Sequence, residues 1–157
     1  MSAEEVLDTL RERGQTLGLA ESLTGGLLAA TIVDIPGASD VFRGGLVVYA
    51  TDLKSALGGV PPALLAAHGP VHADVAAALA GGARERCVAD WGLATTGVAG
   101  PDPQDGVPVG RVFLGLAGPN AVATVRRLDL SGDRAAIRVA TVAAALTLLA
   151  EVLRECP

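Results

Sequence analysis

A serine lies among small residues in the segment AESLTGG, which spans residues 20–26. The sequence predicts a short strand before it, over 15–20, and a helix after it, over 25–35. At a strand-to-helix turn, the first amides of the helix point outward without partners. Ser22 is therefore a candidate nucleophile beside amide groups that can bind an oxyanion. The alternative is that Ser22 or Thr24 only caps the helix, while the glycines permit the turn.

A serine nucleophile needs a base, and the candidate is Lys54. It is the single lysine among 12 Lys and Arg residues, and only Lys can lose its proton near neutral pH. The sequence predicts it on a short helix capped by Thr51, after a second, buried strand over 44–50. If the two strands are parallel neighbours, Ser22 and Lys54 lie at the same edge of the sheet. Burial there would lower the pKa of the lysine and let it accept the serine proton.

The remaining candidates for proton transfer are one tyrosine and two histidines. Tyr49 ends the second predicted strand and is placed to relay or orient the proton; an ordinary strand-end tyrosine is the alternative. His68 and His72 follow Pro62 in a helical region and fit helix-end positions, so we interpret both as structural. No GxSxG motif is present, which leaves Lys54 as the candidate base.

Two further segments are suited to holding a ligand. A third predicted strand over 91–97 runs into TTGVAGP (95–101), which offers hydroxyls and flexible backbone at the carboxyl edge of the sheet. The Pro- and Gly-rich loop over 99–110 is long for a compact domain, which indicates a functional role. A plain exit from the strand is the alternative.

Two arginines open the last predicted helix, which runs from about residue 133 to 154. Arg134 and Arg138 share a face near the positive end of that helix, and this placement suits a phosphate or a carboxylate. The alternative is a solvated charged face that Asp133 partly neutralises.

Several classes of site lack their residue pattern. There is no Walker loop, no GxGxxG and no cluster of His, Cys and carboxylate with ligand spacing, so we expect neither a metal nor a cofactor. Cys87 and Cys156 have no CxxC spacing and are interpreted as thiols in a reducing cell. The net charge is −5 without a basic patch, which argues against nucleic acid as a partner.

The ends and the apolar runs bear on localisation. Residues 1–14 are charged and helical, with Ser2 and Glu5 at capping-box spacing and no signal-peptide core. The longest apolar run, over 139–150, is too short to span a bilayer. We therefore expect a cytoplasmic protein that does not bind membranes, and we expect it to form homo-oligomers.

The order of elements predicts the fold class. Strands alternate with helices, and a hairpin over 111–117 and 121–130 follows. This order predicts an α/β fold, a three-layer α/β/α sandwich with a mixed, mainly parallel sheet of about five strands. The 157 residues, half of them hydrophobic, fit a single domain over 1–157. With 3% aromatic residues and 20 glycines, the layers are expected to pack closely.

Taken together, four blocks of the sequence resemble the CinA C-terminal domain family. In chain order they are AESLTGG (20–26), the PGAS…F.GG.V.YA…K stretch (36–54), TGVAGP with its trailing PVG (96–101 and 108–110), and SGDR…R (131–138). The resemblance extends from about residue 5 to residue 151. Four ordered blocks at compatible spacing are far more specific than any one of them.

The resemblance implies an activity and a role for each matching residue. Stand-alone members of the family include enzymes that hydrolyse the carboxamide of nicotinamide mononucleotide, giving nicotinic acid mononucleotide and ammonia. The implied substrate is thus a small phosphorylated nucleotide. The implied roles are Ser22 as nucleophile, Lys54 as base with Tyr49 beside them, the amides of Thr24, Gly25 and Gly26 as oxyanion donors, and Thr96, Gly97, Arg134 and Arg138 as nucleotide ligands.

The chain departs from the family pattern at a few positions. Leu23 stands where the family often has Cys, which argues against a cysteine nucleophile. Ala50-Thr51 replaces a common Ser-Asn, and Val107 replaces a common Lys; both changes bear on substrate affinity. Larger members of the family carry a further N-terminal domain. The resemblance described above implies nothing about the activities of that domain.

Two other functions remain open at this point. One is a nucleotide-binding or partner-binding module without catalysis, and the other is an amidohydrolase acting on a different phosphorylated amide. An intact set of Ser22, Lys54 and Tyr49 favours an enzyme, since a binding module has no physical need for it.

Overall fold

The computed structural model describes all 157 residues, Met1–Pro157. The strands are β1 (Leu17–Glu21), β2 (Phe42–Val47), β3 (Trp91–Gly97), β4 (Arg111–Ala117) and β5 (Ala123–Asp129). The helices are α1 (Ala3–Glu12), α2 (Leu27–Val33), α3 (Thr51–Ala56), α4 (Pro62–His68), α5 (Ala73–Arg86) and α6 (Arg134–Glu155), with a 3-10 turn at Ala38–Asp40 before β2.

The five strands form one mixed sheet in the order β2-β1-β3-β4-β5. β1 is central to the parallel part, with β2 on one side and β3 on the other. β4 is antiparallel to both β3 and β5, so four of the five strands point the same way. The prediction of a mixed, mainly parallel sheet in an α/β/α sandwich is confirmed.

Helices cover both faces of the sheet, because each inner strand alternates its side chains between two cores. On one face, Leu19 and Leu93 pack with apolar residues of α1, α2 and α6. On the other face, Ala20 and Ala94 pack with α5. The period-two alternation of a strand therefore gives each of the two helical layers its own core.

The layer formed by α5 packs unusually close to its neighbours. A Cβ added at Gly92 would lie 2.0 Å from the carbonyl oxygen of Ala80, so this contact accepts no side chain. At Gly82 of α5, an added Cβ would lie 1.8 Å from the carbonyl oxygen of Gly58, just after α3. The glycine- and alanine-rich composition is thus used to bring backbones together, as the sequence predicts.

The parallel part of the sheet brings three strand ends to one edge. In the register of the sheet, Glu21 of β1 lies beside Val47 of β2 and Thr95 of β3. The chain segments that follow these positions therefore emerge together. The residues predicted to do chemistry lie on them.

One predicted strand differs in position and burial. The sequence predicted a buried strand over 44–50, whereas β2 is Phe42–Val47 and its side chains alternate between exposed and half-buried. The prediction of burial was wrong because β2 is an edge strand, covered by a neighbour on one side only. Thr51 is likewise the first residue of α3 and not its cap, which is Ala50.

The apolar run over 139–150, judged too short to span a bilayer, is part of the longer apolar helix α6. By length and composition alone, the whole helix Arg134–Glu155 is long and apolar enough to cross a membrane. Half of that stretch is buried inside the fold, where Leu148, Leu149 and Leu153 belong to the larger core. Packing against the sheet is enough to account for its apolar composition.

Candidate active site

A cavity of about 290 Å³ opens at the edge where the three parallel strands end. Five parts of the chain form its wall: the turn after β1, the segment after β2, the turn between α4 and α5, the loop after β3 and the start of α6. The residues from the predicted set that line it are Ser22, Tyr49, Lys54, Thr96, Gly97 and Arg134. Its volume is at the lower end of the range for small-molecule sites, about 300–1,000 Å³.

Ser22 and Lys54 meet at this cavity. Nζ of Lys54 lies 2.9 Å from Oγ of Ser22, which is hydrogen-bond distance. Both residues are almost fully buried, at 6% and 2% exposed. Two residues 32 positions apart in sequence are thus in direct contact, through the parallel pairing of β1 and β2.

The ammonium group of Lys54 is surrounded by acceptors that carry no charge. Besides Ser22, Nζ donates to the carbonyl oxygens of Val48 at 2.8 Å and Tyr49 at 3.1 Å. No carboxylate forms an ion pair with it. Burial without a compensating anion disfavours the charged form and lowers the pKa of Lys54 from 10.5 to about 8.

The three contacts of Lys54 define what its neutral form can do. A neutral amine has two N–H groups and one lone pair. If the carbonyls of Val48 and Tyr49 hold the two N–H groups, the lone pair is directed at the hydroxyl of Ser22. This arrangement can take the serine proton as the oxygen attacks, which is the chemistry of an activated nucleophile.

The turn that carries Ser22 is held by the neighbouring strand. The amide of Ser22 donates to the carbonyl oxygen of Thr95 at 3.1 Å and contacts its hydroxyl at 3.3 Å. The same Thr95 hydroxyl lies 2.9 Å from that of Thr24, and both side chains are fully buried. Contacts between these two threonines and the amide of Ser22 therefore hold the backbone of the turn in place.

A buried carboxylate links this turn to the start of α2. Glu21 is 1% exposed, and its two oxygens accept the amides of Leu28 and Ala29 at 2.9 and 3.0 Å. The carboxylate thus satisfies the first turn of α2 and complements the positive helix end. Because Glu21 directly precedes Ser22, that serine and α2 are tied to one point at the end of β1.

This geometry corrects the predicted source of oxyanion donors. The first amides of α2 are occupied, and the amide of Gly25 donates to the carbonyl of Ser22 at 3.0 Å. Gly25 and Gly26 do not line the cavity; their φ values of 55° and 99° serve the turn. By contrast, the amides of Leu23 and Thr24 donate to no backbone carbonyl, and Leu23 lines the cavity. The amide of Gly26 also lacks a backbone acceptor, but neither Thr24 nor Gly26 lines the cavity. The donor placed for an oxyanion is therefore the amide of Leu23.

Tyr49 contacts the pair through its backbone and not through its ring. Its carbonyl accepts from Lys54, whereas its hydroxyl accepts from Nη2 of Arg134 at 3.0 Å. The side chain is exposed and lines the cavity. The structure thus places the tyrosine hydroxyl beside Arg134, the residue predicted to bind phosphate. The role of Tyr49 in relaying a proton between Ser22 and Lys54 stays a prediction.

The two arginines of α6 have separate positions. Arg134 lines the cavity and donates to the carbonyl of Gly100 in the loop after β3. Arg138 does not line the cavity; its guanidinium donates to the carbonyls of Leu23 and Thr24, at 2.9 Å each. Only Arg134 faces the cavity, whereas Arg138 supports the turn that carries Ser22.

The end of β3 supplies the opposite wall. The hydroxyl of Thr96 is buried and donates to the carbonyl of Pro70 at 2.7 Å, which fixes the segment between α4 and α5 against the cavity. Gly97 lines the cavity, and a Cβ there would lie 2.6 Å from Cγ2 of Val112. Thr96 therefore holds the turn between α4 and α5 in place. Gly97 has no side chain, so its backbone is accessible from the cavity.

The loop after β3 and the family departures also bear on the cavity. Asp102 and Gln104 line it, so the loop contributes side chains to the cavity wall, and its functional role stays a prediction. Of the departing positions, Leu23 and Thr51 line the cavity, but Ala50 and Val107 do not. The departures at the cavity wall are thus Leu23 and Thr51.

Glu21 and Thr95 lie in segments that the sequence analysis singled out, but neither was given a role of its own. The signal for Glu21 is a carboxylate at the end of a fully buried strand, since a buried charge requires partners. Thr95 sits in another buried strand, where a hydroxyl also needs a partner. Both residues look like ordinary strand positions until the strand order is known.

The structure contains one group of possible metal ligands that the sequence analysis did not identify. The structure brings His68, His72 and Asp74 together, with their ligating atoms within 4.8 Å of one another. The cluster lies outside the cavity lining. It was missed because the two histidines belong to different helix ends and meet only through the turn between them.

Comparison with known proteins identifies relatives of this chain. The family model described as CinA C-terminal domain matches residues 1–153. A CinA-like protein of Frankia casuarinae is 52% identical over 97% of the chain, and one of Myxococcus xanthus is 43% identical over 99%. The chain spans 35% and 37% of the lengths of these two relatives.

Solved structures match along most of their length. The competence/damage inducible protein CihA of Agrobacterium tumefaciens has a TM-score of 0.92 and 34% identity, covering 97% of this chain and 93% of its own. The competence damage-inducible protein A of Klebsiella pneumoniae has a TM-score of 0.92 and 27% identity, with full coverage of both chains.

Proposed function

The chain belongs to the CinA C-terminal domain family, and we propose that it is a serine–lysine amidohydrolase acting on nicotinamide mononucleotide. The observation that carries the proposal is the 2.9 Å contact between Nζ of Lys54 and Oγ of Ser22 at a solvent-accessible cavity. A buried lysine with no anionic partner is costly for stability. Its contact with a serine favours a role in proton transfer.

The first half of the reaction forms an ester. Neutral Lys54 takes the proton of Ser22 as Oγ attacks the carboxamide carbon. The oxyanion that develops is stabilised by the free amide of Leu23, which lines the cavity. Protonated Lys54 then gives its proton to the amide nitrogen, the C–N bond breaks and ammonia leaves.

The second half hydrolyses the ester. Lys54 is neutral again once ammonia has left, and it removes a proton from a water molecule that attacks the acyl carbon. Breaking the C–O bond returns Oγ to Ser22, which regains its proton from Lys54. The net change is one carboxamide and one water converted to one carboxylic acid and one ammonia.

The cavity supports a phosphorylated substrate. Arg134 is the one arginine in its lining, and its guanidinium is oriented by Gly100 and Tyr49. An oriented guanidinium can pair with phosphate oxygens in two places at once. The acidic Asp102 also lies in the lining, which favours a ligand that presents a cationic pyridinium ring together with its phosphate.

The test is ammonia release from nicotinamide mononucleotide by wild type and by Ser22→Ala. We expect release by the wild type and none above background by the variant, with the nucleotide still bound in a calorimetric titration. Release by the variant at the wild-type rate would exclude Ser22 as nucleophile. Binding without turnover in the wild type would instead support a nucleotide-binding module.

A further inference from the structure

A histidine pair and a carboxylate meet on the surface between α4 and α5. α4 ends at His68, and α5 begins after its cap His72. Gly69 has a φ of 74°, a left-handed conformation that suits glycine, and it lets the chain reverse within this short turn. The two imidazole rings are stacked, with centroids 3.9 Å apart and planes inclined by 7°.

Asp74 completes the group. Its Oδ2 lies 3.7 Å from Nε2 of His68 and 3.8 Å from Nδ1 of His72. No Arg or Lys forms an ion pair with it, so two imidazoles are its partners. All three side chains are accessible, with 36–59% of each exposed.

We propose that His68, His72 and Asp74 form a binding site for a divalent transition-metal ion of the Zn²⁺ class. Imidazole nitrogen and carboxylate oxygen are the ligands that Zn²⁺ takes at about 2.0–2.2 Å, so tetrahedral neighbours are about 3.4 Å apart. The observed separations of 3.7 and 3.8 Å are close to this spacing. The two stacked rings have to rotate so that both nitrogen lone pairs converge on the ion. The ion would have three protein ligands and an open fourth position.

The tautomer of His72 fits this role. Its Nδ1 accepts the amide of Asp74 at 3.1 Å, so Nδ1 carries a lone pair and the proton is on Nε2. A metal ion at Nδ1 would replace that single hydrogen bond. A bound ion would also give the carboxylate of Asp74 a cationic partner, since no Arg or Lys forms an ion pair with it.

The position of the site predicts what a bound ion would do. The turn from Gly69 to Val71 connects the two histidines, and Pro70 and Val71 line the cavity. An ion held by His68 on one side and by His72 and Asp74 on the other would close this turn. The ion is thus a clamp on one cavity wall, separate from the Ser22–Lys54 pair.

The experiment is a calorimetric titration of Zn²⁺ into the untagged full chain. The background carries Cys87→Ser and Cys156→Ser, because thiols are the strongest competing zinc ligands. We expect one ion per chain. Even outer-shell partners of a metal contribute about 10–100-fold to affinity, so His68→Gln should weaken binding about tenfold or more.

Two further variants keep the result interpretable. His72→Asn removes the imidazole but keeps a side chain suited to capping α5, so it should lose zinc without unfolding. Glu85→Gln removes an exposed carboxylate at the far end of α5 and should bind as the background does. Zn²⁺ should also raise the Tm of the background and not that of His68→Gln.

The proposal is overturned by either of two results. One is no binding by the background, with zinc bound only when the cysteines are present. The other is equal affinity in His68→Gln, His72→Asn and the background. Both measurements are independent of turnover, so they stand whatever reaction the cavity performs.

Discussion

The turn after β1 and the loop after β3 both line the cavity, but they are held in different ways. The turn over 22–26 is fixed from three directions by Glu21, Thr95 and Arg138. The loop over 98–110 is exposed from Pro101 to Gly106, where the backbone pairing is that between Gln104 and Val107. One region is embedded in the fold and the other extends from it.

This difference matches two separate demands on a catalytic cavity. A nucleophile must be held within a fraction of an ångström of its productive position, since small misplacements cost large factors in rate. A wall that recognises a substrate can adjust to it. We therefore expect changes around the turn to lower kcat, and changes at the loop and its arginine to raise KM.

The largest effect is expected at the base. Lys54→Arg keeps the positive charge but cannot accept a proton near neutral pH, so it should lower kcat by about 10²-fold or more, the contribution of a general base. Lys54→Ala should be similarly inactive. Ammonia release measured against pH is the assay, and wild-type kcat/KM should rise with pH through about 8, the pKa of Lys54.

An active Lys54→Arg enzyme with the wild-type pH profile would contradict the serine–lysine mechanism. A variant that is inactive because it is misfolded would not support it. The circular dichroism spectrum and the Tm of each variant therefore serve as the control.

The same lysine predicts a pH dependence of stability. Burial lowers its pKa to about 8 in the folded chain, against an ordinary 10.5. Between these values the unfolded chain binds more protons than the folded one, so the free energy of unfolding should rise with pH. The rise due to Lys54 is about 3 kcal/mol over that window, and it should be absent in Lys54→Met.

The measurement is urea unfolding of both proteins from pH 7 to pH 10.5. Subtracting the two curves removes the contribution of other titrating groups. A difference that does not change with pH would show that Lys54 titrates normally and is not held as a buried base.

A smaller effect is expected at Arg134, which lies on the side of the cavity formed by the loop after β3. A hydrogen bond to a charged group contributes about 1.5–3 kcal/mol, so Arg134→Ala should raise KM for nicotinamide mononucleotide by about 10-fold to 100-fold. Nicotinamide riboside, which lacks the phosphate, should be affected much less. Equal weakening of both substrates would assign Arg134 to the wall and not to the phosphate.

The smallest effect is expected one helical turn further on. Arg138→Met keeps the length of the side chain but removes its donors to Leu23 and Thr24. We expect kcat to fall about tenfold, since hydrogen bonds of this kind contribute about 1.5–3 kcal/mol, with KM nearly unchanged for both substrates. Arg154→Met, at the exposed end of the same helix, is the matched control. A rise in KM without a fall in kcat would contradict a positioning role.

Much of the fold could be predicted from local pattern. β3 was predicted at 91–97 and is Trp91–Gly97, because its apolar run is bounded by turn residues. The capping box at Ser2 and Glu5 is formed as predicted. The burial of β2 could not be predicted in the same way, because whether a strand is central or at an edge depends on the strand order and not on its own residues.

In the site, too, some features could be predicted from the sequence pattern and others depend on tertiary packing. Proximity of Ser22 and Lys54 could be predicted because parallel neighbours end at the same edge. The separate positions of Arg134 and Arg138 could not, since their i,i+4 spacing places both on one face. What distinguishes them is which loop each one meets, and this is set by the packing of α6 against the rest of the fold.

The close approach of Gly82 to Gly58 has a consequence for mutational screens. A methyl group at position 82 would overlap the carbonyl oxygen of Gly58, which lies two residues after the helix that holds Lys54. An alanine there must push that helix aside or distort α5. A library scored for turnover would then rank position 82 among the most sensitive, although its side chain never meets the substrate. Sensitivity at this position would report the spacing of two backbones, and the same library scored for abundance would separate it from Ser22.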